Sequence, residues 1–79
     1  MIPLYGFLEG DTLGLLILAD EQQSAASLAR ALQSAAALRV APREGVSVWV
    51  KGARLDARTT VDAAGLRALD RFDVRRDQP

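Results

Sequence analysis

The sequence predicts an α+β fold, with one helix packed on one face of a mixed sheet of four to five strands. Two kinds of pattern predict it. Residues 2–8 and 13–19 are apolar runs of strand length, and residues 46–51 and 71–75 alternate apolar with polar. Between these pairs lies a single Ala-rich stretch, 24–38, whose apolar residues recur at helical spacing. A chain of 79 residues supports one domain, 1–79, with 76–79 expected as a frayed tail.

Taken in order, Ile2–Leu8 and Leu13–Ala19 flank the polar turn Glu9-Gly10-Asp11-Thr12 and read as a β-hairpin. Alternation puts Leu13, Leu15 and Ile17 on one face and Gly14, Leu16 and Leu18 on the other, so both faces of the second strand are apolar. Ser24 is placed to cap the helix, and Ala25, Leu28, Ala29, Leu32, Ala35 and Ala36 form its inward stripe. The helix must stop before Pro42, because the residue preceding a proline disfavours the helical region. In the next strand Val46, Val48 and Val50 are expected to face the helix, with Ser47, Trp49 and Lys51 facing away. Leu55 marks a very short strand. Thr59–Asp62 caps a helical turn that Gly65 ends, and Leu66 and Leu69 are expected to pack inward. Phe72 and Val74 are the core residues of the last strand.

The composition excludes several functions. The chain has no His and no Cys, so it offers no zinc site, no thiol nucleophile and no imidazole base. Net charge is zero, ten basic side chains against ten acidic, which argues against a general binder of nucleic acid or membranes. Nine of the ten basic residues are Arg, suited to planar, bidentate contacts. No apolar run is long enough to span a bilayer, and Glu9 and Asp11 interrupt any signal-like N-terminus, so a cytoplasmic protein is expected. Gly6, Gly10 and Gly14 recur inside the hairpin, where they read as turn and strand spacing rather than a phosphate cradle. No cofactor site and no catalytic residue are expected.

The order of elements resembles the ubiquitin-like β-grasp fold, through Leu8-Glu9-Gly10-Asp11-Thr12-Leu13, Lys51-Gly52-Ala53-Arg54-Leu55 and Thr60–Leu66. That resemblance implies strand order 2-1-5-3-4, with the first and last strands parallel at the centre. A narrower similarity rests on Arg39-Val40-Ala41-Pro42-Arg43-Glu44-Gly45-Val46, supported by Phe7–Leu13, by Ser24, Leu28 and Leu32, and by Thr60–Leu66. These residues resemble the toluene-4-monooxygenase system protein B family, the small γ subunit of multicomponent bacterial aromatic-ring hydroxylases. Here the end of the helix and the Lys51–Leu55 hairpin are shorter than in that family, and Trp49 and Val50 replace smaller or basic residues. The resemblance implies a non-catalytic subunit that braces a large di-iron subunit and has no small-molecule substrate of its own. With one helix and no His, this chain lacks the ligand set of such an iron centre. Small cytosolic accessory proteins of type VII secretion systems carry a similar Pro-Arg-Glu-Gly turn, so a free-standing ubiquitin-like adaptor stays open as the alternative. A conjugating modifier needs a terminal Gly-Gly, and the sequence ends Arg76-Asp77-Gln78-Pro79, so conjugation is not expected.

Function is then expected on the surface. Leu16, Leu18 and Trp49, with Tyr5 beside them, should lie on the sheet face the helix leaves open, as contacts for the large subunit. For Leu16 and Leu18 the competing reading is local burial by sheet twist or by the tail. Arg39 and Arg43 flank the Pro42 turn, either as partner contacts or as a solvated loop paired with Glu44 or Asp20. A homo-oligomer of the isolated chain stays open.

Overall fold

The structure is a computed structural model and describes residues 1–77. It contains strands β1 (Ile2–Leu8), β2 (Gly14–Ala19), β3 (Val46–Val50), β4 (Ala53–Arg54) and β5 (Arg71–Arg76), and one helix, α1 (Ala25–Ala35). The strands form one sheet in the order β2-β1-β5-β3-β4. β1 pairs antiparallel with β2 and parallel with β5, and β3 pairs antiparallel with both β5 and β4. This is the expected mixed sheet with its parallel pair at the centre.

Helix α1 covers one face. Ser24 caps it, its hydroxyl accepting the Ser27 N–H at 3.2 Å. Two further N–H groups of the first turn donate to the returning chain, Ala25 to the Thr59 carbonyl at 2.8 Å and Ala26 to that of Ala57 at 2.9 Å. The stripe of Ala25, Leu28, Ala29 and Leu32 meets Leu4, Leu8, Ile17, Val48, Phe72 and Val74 of the sheet, and Val61 and Leu66 close the end of the core. Gly6 faces the same layer: a Cβ there would stand 2.7 Å from Phe72 Cζ and 2.8 Å from Leu32 Cδ1. Only glycine lets those two side chains meet over β1.

Several expectations need correcting. Leu13 is outside β2 and half exposed, because a turn closed by Asp11 N–H to the Leu8 carbonyl at 2.9 Å, with Gly10 at φ +92°, uses up the residues before Gly14. The helix ends at Ala35, not residue 38, and Ala35 itself is exposed. Past Ala36 the chain bends so that Val40 packs on the core and Arg39 reaches the hairpin, and Leu38 is left in solvent. The short strand is Ala53–Arg54, just before Leu55, whose N–H donates to the Val48 carbonyl at 2.8 Å. Residues 61–65 form hydrogen-bonded turns rather than a helix.

Leu66 packs inward, but Leu69 is 58% exposed. It occupies the third position of an Arg67–Asp70 turn at φ +69°, a conformation that costs a side-chain-bearing residue about 1 kcal/mol or more. Two residues of the expected tail, Arg76 and Asp77, donate backbone hydrogen bonds. Arg76 ends β5, and the Asp77 N–H donates to the Gly45 carbonyl at 2.8 Å. The rest of the expected tail, 78–79, lies outside the described residues. Among the described residues no helix is long and apolar enough to cross a membrane.

Candidate docking surface

Among the described residues no element covers the sheet face opposite α1. Register places its side chains strand by strand. β2 gives Leu16 and Leu18, paired across to Tyr5 and Pro3 of β1. Next comes Phe7, which folds over Gly14, where a Cβ would lie 2.6 Å from the ring. β5 then gives Arg71, Asp73 and Arg75, and β3 gives Ser47 and Trp49. The face therefore has an aliphatic half and a charged half.

Leu16 and Leu18 are 55% and 63% exposed, with half-exposed Tyr5 beside Leu16. Neither sheet twist nor the described part of the tail buries them. Leu69, whose N–H donates to the Pro3 carbonyl at 2.6 Å, adds a further exposed apolar residue near this half. Trp49 shares the face but not the patch. Two strands separate it from β2, roughly 14 Å at the usual strand spacing. It is half-buried, with the Arg75 guanidinium 5.1 Å from its ring centroid. Arg71 lies in the same way 4.0 Å over Phe7. Between them Asp73 accepts from both guanidiniums. The hydrogen bonds from Arg71, with those from Arg75, hold its carboxyl below the usual carboxylate range against a partial desolvation cost.

Arg39 and Arg43 lie elsewhere. Arg39 forks onto Asp11, with Nε 3.1 and 3.2 Å from the two carboxylate oxygens and Nη2 2.9 Å from Oδ2. The Asp11 side chain is almost fully covered, and these bonds lower its pKa. The partner is thus neither Glu44 nor Asp20, and the pair ties the end of the helix to the β1–β2 turn. Arg43 is held by its backbone. The buried Gln33 side chain donates from Nε2 to the Arg43 carbonyl at 3.0 Å and accepts the Arg43 N–H at 2.7 Å. The Arg43 side chain itself is exposed.

Sequence reasoning missed Phe7, Arg71, Asp73, Arg75 and Leu69. The alternation of residues 71–75 contained the signal for three of them, since it puts both Arg and the Asp on the face opposite Phe72 and Val74. Among the described residues the serine hydroxyls with hydrogen bonds make structural ones. The Ser24 hydroxyl caps the helix, that of Ser27 accepts from Gln23, and Ser47 lies between Arg54 and Asp77. Among the described residues no three acidic side chains converge as a metal-ligand set.

No curated protein sequence matches the chain. Among solved structures, a chain of toluene 4-monooxygenase, from its HD complex with the inhibitor 4-bromobenzoate, superposes with a TM-score of 0.83 and 27% identity. The match covers 92% of this chain and 94% of that one. The ubiquitin of Caldiarchaeum subterraneum superposes with a TM-score of 0.73 at 15% identity, over 92% of this chain and 89% of that one. A ubiquitin-like domain of an Arabidopsis thaliana protein gives 0.75 at 13% identity, over 99% and 79%. The last two, at such low identity, establish only that the fold is ubiquitin-like. The family described as toluene-4-monooxygenase system protein B (TmoB) matches residues 1–75, nearly the whole sequence, and the chain belongs to that family.

Proposed function

We propose that this chain is the small, non-catalytic subunit of a multicomponent aromatic monooxygenase and seats on its large di-iron subunit through the helix-free sheet face. The observation that carries this is the exposed aliphatic half of that face, Leu16 and Leu18 with Tyr5, left bare by a fold whose core is complete without it. Family membership supports the choice of partner, as does the likeness to a chain of a solved toluene 4-monooxygenase complex. The partner holds the iron and binds the substrate, and this chain supplies a rigid surface that braces it in the cytoplasm. Leu16 and Leu18 are the central contacts and Trp49 lies at the far side of the same footprint. Arg43 reaches the partner from the neighbouring loop, and Arg39 acts through Asp11 by fixing that loop's position. Without its partner, the aliphatic half drives weak self-association.

A tagged copy expressed in the native host tests the assignment. A large iron-containing subunit should co-elute with the wild-type chain and be lost from the L16D/L18D variant. Recovery of the wild-type chain alone, or with iron-free secretion components, overturns the assignment and leaves the adaptor alternative.

A further inference from the structure

The charged half of the open face sets a condition on whatever covers it. Arg71 and Arg75 share one carboxylate. Arg71 places Nε 2.8 Å and Nη2 3.3 Å from the two oxygens of Asp73, and Arg75 adds a single Nη2 contact at 3.3 Å. A guanidinium carries five N–H donors, so most of those on Arg75 have no acceptor in this cluster. The Arg71 and Arg75 side chains are 62% and 48% exposed, while that of Asp73 between them is mostly covered. Cation–π contacts with Phe7 and Trp49, at 4.0 and 5.1 Å from the ring centroids, restrain both side chains on the face.

A shallow groove opens beside them, lined by Trp49, Lys51, Asp70, Arg71, Asp73 and Arg75. Lys51 stands in the β3–β4 turn at φ +51°. Asp70 lines the groove as well and accepts the Arg67 N–H with one carboxylate oxygen at 2.9 Å. The lining presents three cations against two carboxylates, an excess of one positive charge.

β5 is the strand next to β1, roughly 5 Å away. A partner on Tyr5, Leu16 and Leu18 that buries the about 800 Å² per side of a stable interface also covers β5. Covering it takes two guanidiniums out of water with one carboxylate between them. An unpaired positive charge is costly to bury, so neither an apolar nor a basic cover fits. Resting on the docking assignment above, we propose that the hydroxylase surface covering this face carries an Asp or Glu carboxylate that enters the groove between Trp49 and Lys51 and pairs with Arg71 and Arg75. The planar guanidinium forks suit bidentate recognition of that carboxylate, and the flanking Trp49 shields it from water.

Lys51 is the only lysine in the chain, so the unmutated complex reports the contact directly. Carbodiimide coupling of the purified complex forms an amide between an activated partner carboxylate and Lys51 Nζ. The expected result is a cross-linked peptide joining Lys51 to an Asp or Glu of the large subunit, absent with Lys51→Arg. Binding of R71Q/R75Q to the purified large subunit should be weaker by at least about 30-fold at low salt, the scale for losing one side of a buried charge pair. Its affinity should also respond less to added salt than that of the wild type. Failure of the cross-link, or a loss of less than about threefold in R71Q/R75Q, the range of an exposed pair, overturns the proposal. If L16D still abolishes binding in that case, the docking assignment stands and only the acidic contact is sunk. If the wild-type chain does not bind the large subunit, both fall together.

Discussion

Two residues show how tightly the helix side is built. At Gly6 the space in front of the backbone is already filled by Leu32 and Phe72, both fully buried. Gly6→Ala should destabilise the protein by about 1–3 kcal/mol, because the methyl group must displace a packed leucine or a packed ring. Urea unfolding should show a lower midpoint with an unchanged slope; a neutral result would mean that the core yields there. Gln33 is the one buried polar residue among those described, and its amide satisfies both the N–H and the carbonyl of Arg43 in the manner of a strand partner. Gln33→Ala leaves those backbone groups without their partner and should cost about 1–3 kcal/mol. The loop residues 40–45 should also lose protection from amide exchange. If the stability loss appears without that local change, the role of Gln33 is packing rather than pinning the loop.

At the scale of elements, β5 carries both the core and the charge. Its inward residues Phe72 and Val74 are fully buried, while its outward Asp73 is held ionised by Arg71 and Arg75. Asp11 and Glu9 are shifted in the same direction, Asp11 by Arg39 and Glu9 chiefly by the Arg76 backbone N–H. A carboxylate whose folded pKa is depressed contributes stability that is present above its unfolded value, about 4, and lost as pH falls through the folded value. Urea midpoints should therefore hold steady above about pH 5 and decline below about pH 4. Asp73→Asn should be less stable than wild type at pH 7 and should show a smaller acid decline. An equal acid decline in both would remove Asp73 from the account.

The sequence displayed most of these elements but not their neighbours. β1 was legible to its end residues, and Ser24 as a cap, because hairpin patterning and capping are local. Asp11 and Arg39 lie 28 residues apart, and no local rule pairs them. The same limit applies to the open face. Leu16, Leu18 and Trp49 do share a face, but strand order inserts β1 and β5 between them, and β5 brings its arginines. Gln33 was passed over because a polar residue inside an apolar stripe reads as surface until its partner is known.

The whole molecule divides its labour between two faces. The buried side chains large enough to stabilise a chain of this size all lie on the helix side or at its ends, and the open face adds none of them. Stability and docking should therefore separate under mutation. In L16D/L18D both substitutions fall on exposed positions of an edge strand, where aspartate gives up some strand propensity but opens no cavity. The expected cost is below about 1 kcal/mol in total. Two new negative charges on an aliphatic patch should also suppress self-association, visible by sedimentation as a chain that stays monomeric where the wild type begins to associate. Loss of the large subunit from such a stable monomer would place the defect in the surface itself. If L16D/L18D instead unfolds, these leucines serve the fold, and the open face would not be the free surface that docking requires.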